Sequence, residues 1–261
     1  MKPEISFCIV TYNSSKTITS VLESIKLHCQ VSHEIVIVDN SSSDDTLEVL
    51  NNEIADNIKV IPSSKNLGFG AGNNLAFEHA QANVIALLNS DAFLASPITE
   101  SHVQMVLSHA DVGVLGGVML SEQHKYRPSF GSFPRSLDFL KLKSIYGKLN
   151  NIINISGRNI LVVDWVEASF FVMHADTYKK LRGFDESYFM YCEDLDLCYR
   201  LRNLNKLSLV DPSLSYIHLG GFSQSRNSWL NSSYLNFIKK HYSGSKKHFS
   251  LLFLFLRLLK R

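Results

Sequence analysis

The segment FMYCEDLDLCYR, Phe189 to Arg200, sets three carboxylates, Glu193, Asp194 and Asp196, beside Phe189, Tyr191 and Leu195. Acids among large apolar side chains are costly unless something compensates them. The question is what these acids hold, or which proton they take. A second stretch of the same kind is NSD, Asn89 to Asp91, directly after the apolar run VIALL. Alternation past a buried strand lets Asn89 and Asp91 point to one side. An oxygen-only site of that kind suits Mg²⁺ or Mn²⁺ shared with a diphosphate, although an isolated N-x-D is usually a turn.

Such residues need elements to position them. ISFCIV (5–10), EIVIVDN (34–40), IKVIP (58–62) and VIALLN (84–89) are short apolar strands. Between them lie the helical spacing of Ile18, Val21, Leu22 and Ile25, a short helix opened by Asp44 and Asp45, and the helix NNLAFEHA. Near-continuous apolar strands alternating with helices predict a parallel sheet covered on both faces. Farther on, DVGVLGGVML and FFVMH have strand character, and ADTYKKL and EDLDLCYRLRNL helical character. Residues 121–159 receive no assignment.

In an open parallel sheet, ligands bind beyond the carboxyl ends of the strands. The four ends here are TYNSS (11–15), DNSSSDDT (39–46), SSKNLGFGAGNN (63–74) and NSDAF (89–93), all polar, small or acidic. Four such ends on one rim predict a binding site. Asp39 ends an apolar strand, where a carboxylate can accept from a base-ring N–H or simply cap a turn. GFGAGNN resembles a phosphate-cradling loop ahead of a helix. Gly68, Gly70 and Gly72 lack the G-x-G-x-x-G spacing and follow the third strand, which argues against a nicotinamide dehydrogenase.

Composition narrows the class. A chain of 261 residues suffices for one large α/β domain or two small ones. Its net charge of +2 makes no case for nucleic acid as a partner. Cys8, Cys29, Cys192 and Cys198 form no C-x-x-C pair, which argues against zinc, thioredoxin-type chemistry and a disulfide framework. The N-terminal MKPEISFCIVTYN has neither a basic n-region nor a long apolar h-region. The expectation is a reducing, cytoplasmic setting.

CIVTYNSS, EIVIVDNSSSDDT, KNLGFGAGNN, LLNSDAF, GFDESYFMYCEDLDLCYRLR and IHLGGFS occur in that order. Together they resemble a family 2 glycosyltransferase of the GT-A fold, and within it the bacterial rhamnosyltransferases that build surface polysaccharides. The likeness covers about residues 5–223. It implies an α/β, Rossmann-like, mostly parallel sheet flanked by helices, and an inverting transferase using a nucleotide-sugar donor and a divalent metal. The organisation it implies is a domain over residues 1–223, with a nucleotide-sugar half over 1–120 and an acceptor half over 121–223. A C-terminal helical region covers 224–261.

Residue by residue, the resemblance places Thr11 and Asn13 where the first loop touches the nucleotide. Asp39 falls on the base-binding acid, with Ser41 and Asp44 in the same site. Asn66 and Gly68 match the loop beside ribose and diphosphate, and Asn89 joins the donor site. Asp91 matches the last acid of a metal-binding D-x-D that this subgroup commonly writes N-P-D, with Ser90 in place of the proline. His218 matches the histidine that completes the metal site; alone it would pass for a buried histidine. Asp194 matches the catalytic base, and Glu193 orients the acceptor or the loop. Ala168 stands where relatives often have glycine after the tryptophan, and its methyl narrows the acceptor side.

Two residues keep a plainer alternative. Asp196 is expected to pair with Arg200 at i,i+4 on an exposed helix face. Trp165 is either a core anchor or a platform on which the acceptor stacks. The donor suggested by the resemblance is dTDP-rhamnose, with UDP-hexoses as the main alternative. The acceptor is a saccharide carried on a polyprenyl diphosphate. Two rival functions fit less well. A sugar nucleotidyltransferase should carry a Gly-rich, basic loop after the first strand, where this chain has TYNSSKT. A non-catalytic sugar-nucleotide-binding protein has no need of Asp91, Asp194 and His218 together.

The tail KKHFSLLFLFLRLLKR holds nine large apolar residues, Phe249, Leu251 to Leu256, Leu258 and Leu259. On a helix, Lys246, Ser250, Arg257 and Arg261 fall near one stripe with the rest apolar. That pattern suits an amphipathic helix lying in the headgroup layer, as a peripheral attachment on the inner face of the cell membrane. The alternative is a helix packed on the body or on an oligomer partner.

Overall fold

The computed structural model describes residues 2–220 and 226–259. Gly221, Phe222 and Ser223 of IHLGGFS, the boundary expected at residue 223, and the terminal Lys260 and Arg261 lie outside the described residues.

The first half alternates as its hydrophobic pattern requires: β1 (Ile5–Thr11), α1 (Ile18–His28), β2 (His33–Asp39), α2 (Thr46–Asn52), β3 (Ile58–Pro62), α3 (Phe69–Glu78) and β4 (Val84–Leu88). β5 (Ala92–Leu94), α4 (Glu100–Ser108), β6 (Val112–Leu120), β7 (Tyr126–Arg127) and β8 (Phe130–Gly131) follow. Two 3-10 helices, Ser136–Leu140 and Leu142–Ile145, lead into β9 (Asn151–Ile155), β10 (Arg158–Val163), β11 (Trp165–Val166) and β12 (Phe170–His174). The chain ends with α5 (Ala175–Lys180), α6 (Glu193–Asn203), β13 (Leu207–His218), α7 (Arg226–His241) and α8 (Gly244–Leu259). Residues 121–159 escaped assignment because their strands and 3-10 turns are too short to show a period.

The main sheet is ordered β3-β2-β1-β4-β12-β6-β13-β10-β9. Along that path β12 and β10 run against the other strands, so the sheet is mixed but mostly parallel. Successive residues of β1 serve opposite cores. Phe7 and Ile9 pack with Val21 and Ile25 of α1 and Val103 of α4. Cys8 packs with Ala76 of α3 and with Leu197 and Leu201 of α6. Burial on both faces is why these strands are apolar without alternation.

Two pairings carry the second half to the rim. Antiparallel β12 lies between β4 and β6 and sets Phe170 opposite Leu88, next to the NSD stretch. β13 is a long strand that hydrophobic pattern alone did not reveal, because Asp211 and Pro212 interrupt it. Its register shifts between Val210 and Ser215, where a bulge accommodates the proline. Before the bulge β13 pairs with β10; beyond it β13 pairs with β5, setting His218 opposite Ala92. That pairing delivers a histidine to Asp91 from far along the chain.

Candidate active site

The loops after β1 and β2 are tied to each other. Thr11 is fully buried and donates its hydroxyl to Asp39 Oδ1 at 2.9 Å. The Ser42 hydroxyl donates to the same oxygen at 2.5 Å, and the Ser42 N–H to Asp39 Oδ2 at 3.0 Å. Asp39 is therefore held at 0 % exposure, and a base N–H reaches it only by displacing Ser42. Thr11 positions that carboxylate instead of facing the rim. Asn13, at φ 53°, accepts from the Ser43 N–H at 2.8 Å and donates its own N–H to Ser42 Oγ at 2.9 Å. Asp44 takes the Ser15 hydroxyl at 2.7 Å and the Thr46 hydroxyl at 2.5 Å. Burial, the largest single influence, works against its charge, but the donors from Thr46 and Ser15 together outweigh it and bring Asp44 down to about 2. Ser41 is exposed on the same rim at φ 63°.

The glycine-rich loop serves packing. Gly68 has φ +84°, and a Cβ there would sit 2.4 Å from the Phe189 carbonyl oxygen. The Phe69 N–H donates to that oxygen at 3.0 Å. A Cβ on Gly70 would press on Phe184, and one on Gly72 on Val10 and the Asn40 amide. Gly68 and Gly70 thus let the start of α3 approach the chain ahead of α6, Gly72 lets it approach the end of β1, and all three are buried. Asn66 closes the turn by accepting from the Gly68 N–H at 2.9 Å. Asn40, which the sequence did not single out, is buried and donates to the Gly68 carbonyl at 2.9 Å.

At the end of β4, Asp91 Oδ1 lies 3.1 Å from His218 Nε2, and the Asn89 amide nitrogen lies 3.3 Å from the same ring nitrogen. Glu167 Oε1 is 3.9 Å from His218 Nδ1, within reach of charge attraction. Burial disfavours a charged His218; the hydrogen bond and charge of Asp91, with the charge of Glu167, outweigh it and raise its pKa. Oxygen and imidazole donors suit Mg²⁺ or Mn²⁺. Two atoms 3.1 Å apart match neighbouring corners of an octahedron with ligands at about 2.1 Å. Asn89 Oδ1 is buried with no hydrogen-bond partner among the described residues, a further oxygen beside the pair. Among the described residues no group of three His, Cys, Asp or Glu side chains is placed to hold an ion, so Asp91, His218 and Asn89 offer part of a coordination set and the remaining positions would come from elsewhere.

The acids of α6 take different environments. Tyr191 and Cys192 both have left-handed backbone, φ 71° and 66°, a conformation costing roughly 1–3 kcal/mol per residue that the surrounding packing must impose. They turn the chain so that α6 begins with Glu193 and Asp194 at its N-terminus, where its dipole favours acids. Asp194 is half-buried and accepts the Leu195 N–H at 2.7 Å and the Ala168 N–H at 3.4 Å. Burial outweighs these donors and raises Asp194 from 3.8 to about 6. Glu193 is 6 % exposed, and its Oε2 has no hydrogen-bond partner among the described residues. Burial first, and then the charge of Asp194, pushes its pKa well up. So enclosed, Glu193 presents little surface to an acceptor, which weighs against the acceptor half of its expected role and leaves the half at the loop. Asp196 does pair with Arg200, at 2.7 Å, but on a buried face: it is 1 % exposed, and His241 Nε2 lies 2.7 Å from its other oxygen. Cys192 and Cys198 face the core.

The segment Glu167–Ala168–Ser169 braces the whole site. Glu167 faces His218, the Ala168 N–H faces Asp194, and the Ser169 carbonyl accepts from the Asn89 N–H at 3.0 Å. Glu167 went unnoticed in the sequence; an acid wedged between the apolar runs ILVVDWV and FFVM was its signal.

Trp165 is 3 % exposed, donates its ring N–H to the Ser132 carbonyl at 3.1 Å and meets Tyr146 edge-on. Of its two expected alternatives it is the core anchor, and its burial leaves no face on which an acceptor could stack. The other tryptophan, Trp229 of α7, lies 5.4 Å from the Phe189 ring. Together with Ser187, Met190, Asn236 and Lys239 these two line a cleft of about 360 Å³ beside the loop that leads into α6.

Known proteins resemble this chain in sequence and in fold. The family described as Glycosyl transferase family 2 matches residues 6–169. The rhamnosyltransferase WbbL of Escherichia coli is 30 % identical over 160 residues, 58 % of this chain and 58 % of that protein. The N-acetylglucosaminyl-diphospho-decaprenol L-rhamnosyltransferase of Mycobacterium tuberculosis is 25 % identical, covering 84 % of this chain and 76 % of that one. Among solved structures, GalNAc-T7 with UDP, GalNAc and Mn²⁺ superposes at a TM-score of 0.71 and 14 % identity, over 91 % of this chain and 48 % of its own. Staphylococcus aureus TarS with UDP-GlcNAc gives 0.62 at 18 % identity, over 99 % of this chain and 72 % of its own. Both structures share the fold.

Proposed function

The chain belongs to glycosyl transferase family 2, and we propose that it is an inverting glycosyltransferase that moves rhamnose from dTDP-rhamnose to a hydroxyl of a saccharide carried on a lipid diphosphate. The observation that carries the reading is Asp194: a half-buried carboxylate, raised to about 6, held by two backbone N–H groups at the head of a helix. The names of the two rhamnosyltransferases support the sugar, and that of the mycobacterial protein supports a diphospho-lipid acceptor.

Asp194 takes the proton of the acceptor hydroxyl as that oxygen attacks the anomeric carbon. Its pKa near 6 leaves it ionised at neutral pH and still a competent base, a combination worth about 10²–10⁴-fold in rate. Attack opposite the departing diphosphate inverts the anomeric carbon. The Ala168 and Leu195 N–H groups hold the carboxylate in one orientation, so little reorganisation is needed. Asp91 and His218, with Asn89, would hold a divalent ion. When bound, that ion offsets the charge that develops on the leaving diphosphate. Asp39 takes the N–H of the base once Ser42 yields, and Asn13 and Asp44 keep the rim in shape. Phe189 and Trp229 offer faces on which an acceptor sugar stacks, with Asn236 and Ser187 beside them for its hydroxyls.

Asp39 meets the same N–H edge in uracil and thymine, so only room for the thymine methyl separates the two donors. Competition of dTDP and UDP for the site tests the sugar assignment. The expected result is tighter binding of dTDP; a clear preference for UDP rejects rhamnose as the donor sugar and leaves the transferase reading intact. A lipid-linked acceptor also brings the reaction to a membrane surface, where the reading places the enzyme as a peripheral protein on the cytoplasmic side.

A further inference from the structure

Helix α8 is amphipathic, and it packs with the polar side inward. Ser250 is fully buried and donates its hydroxyl to Ser136 Oγ at 3.1 Å. Lys246 sits over the Tyr242 ring at 3.7 Å, and Arg257 donates to Asn231 Oδ1 of α7 at 3.0 Å. Ser250 and Arg257 of the expected stripe therefore face the body, while Lys246, over the Tyr242 ring, stays exposed. At 100° per residue, Phe249, Leu252, Phe255, Leu256 and Leu259 fall within about 120° of one another on the opposite side. That side is bare: Phe249 is 55 % exposed, Phe255 56 % and Leu259 66 %. The 3-10 helix against which α8 packs also exposes Leu137 and Leu140, and Lys141 and Lys143 follow it in solvent. An apolar surface of this kind marks a partner.

The occupant follows from charge. Residues 212–261 contain eight Lys and Arg and no Asp or Glu. A second copy of this chain would bring the same positive region against the first. An anionic lipid surface is complementary to both parts, taking the apolar side chains into its acyl boundary and the cations at its headgroups. The helix is also too short to cross a bilayer: no helix among the described residues is long and apolar enough to do so. We propose that the outward face of α8, flanked by Leu137 and Leu140, docks in the plane of an anionic membrane. The proposal takes its purpose from the lipid-linked acceptor argued above; its test needs neither donor nor acceptor, so it can fail while that reading stands, and the reverse.

The experiment is co-sedimentation of the full chain with phosphatidylcholine vesicles with and without about 30 % phosphatidylglycerol, across a salt series. The expected result is binding to the anionic vesicles that weakens with salt. Leu252→Ser with Phe255→Ser should reduce that binding by about 10-fold or more and leave the melting temperature unchanged, since both side chains already meet water. Should that pair lower the melting temperature, Leu259→Asp at the far end of the helix gives the same reading with less risk to the fold. Binding that is absent, that is equal on neutral vesicles, or that survives both variants overturns the proposal. So does sedimentation velocity showing a dimer without vesicles that the variants dissolve, because the face then belongs to a second copy.

Discussion

Asp194→Asn is expected to lower turnover by about 10²–10⁴-fold at saturating acceptor, with donor affinity nearly unchanged, and to raise the melting temperature at neutral pH. The two effects share one cause. Burial raises Asp194 from 3.8 to about 6, so the folded protein binds that proton more tightly than the unfolded chain does. The ionised carboxylate therefore costs stability. The cost is fully present above about pH 6, shrinks as the pH falls, and is gone below the unfolded pKa of about 3.9. A neutral amide removes it, a gain of about 1–3 kcal/mol before any hydrogen bonds lost from the Ala168 and Leu195 N–H groups are deducted. The same titration gives the wild-type rate an acid limb near pH 6. Thermal melts and single-turnover rates across pH 5–8 read both effects. Glu193→Gln serves as the control, because that carboxyl is enclosed and raised by burial and by its neighbour's charge. Near-normal turnover in Asp194→Asn with a severe loss in Glu193→Gln would move the base one residue back.

Asp91→Ala should remove the metal dependence of nucleotide binding. In wild type, a divalent ion and a nucleoside diphosphate are expected to stabilise each other's binding, and together to raise the melting temperature by mass action. Without Asp91, His218 loses the partner 3.1 Å away that raises its pKa, and the rim loses its nearest carboxylate. The expected outcome is a loss of at least about 10-fold in dTDP affinity with Mn²⁺ present, and little change when the metal is chelated. His218→Ala should move in the same direction. Thermal-shift titrations of Mn²⁺ against dTDP measure this. An Asp91→Ala protein with unchanged metal dependence removes that residue from the ion site.

The parts legible in the sequence were those fixed by local pattern. β1, β2 and β4 announce themselves because double-sided burial leaves them almost wholly apolar, while β3, at the sheet edge and only partly buried, is marked by Ile58, Val60 and Ile61 ahead of Pro62. Their polar ends locate the rim, and the helix carrying Asp194 shows its period from Leu195 to Leu201. What stayed hidden depends on contacts between distant segments. β13 hides behind Asp211 and Pro212, yet its pairing with β5 is what sets His218 beside Asp91. The glycines after β3 suggest a phosphate cradle by spacing, while their missing side chains make room for Phe184, Phe189 and Val10. Trp165 and Trp229 cannot be told apart by type; the Ser132 carbonyl and Tyr146 enclose the first, and the second lies in the cleft. For α8 the periodicity was plain, but which side meets the body depends on Ser136 and Asn231, which lie in other elements.

The central claim is a single displacement at the anomeric carbon, with Asp194 taking the acceptor proton. Proton NMR of the product formed from dTDP-rhamnose and a saccharide acceptor reads it directly through the anomeric signal, with dTDP release followed in the same sample. An anomeric configuration opposite to that of the donor is expected, with one dTDP released per sugar transferred and both slowed by about 10²–10⁴-fold in Asp194→Asn. A product that retains the donor's configuration, or transfer that continues at the wild-type rate in Asp194→Asn, would contradict it.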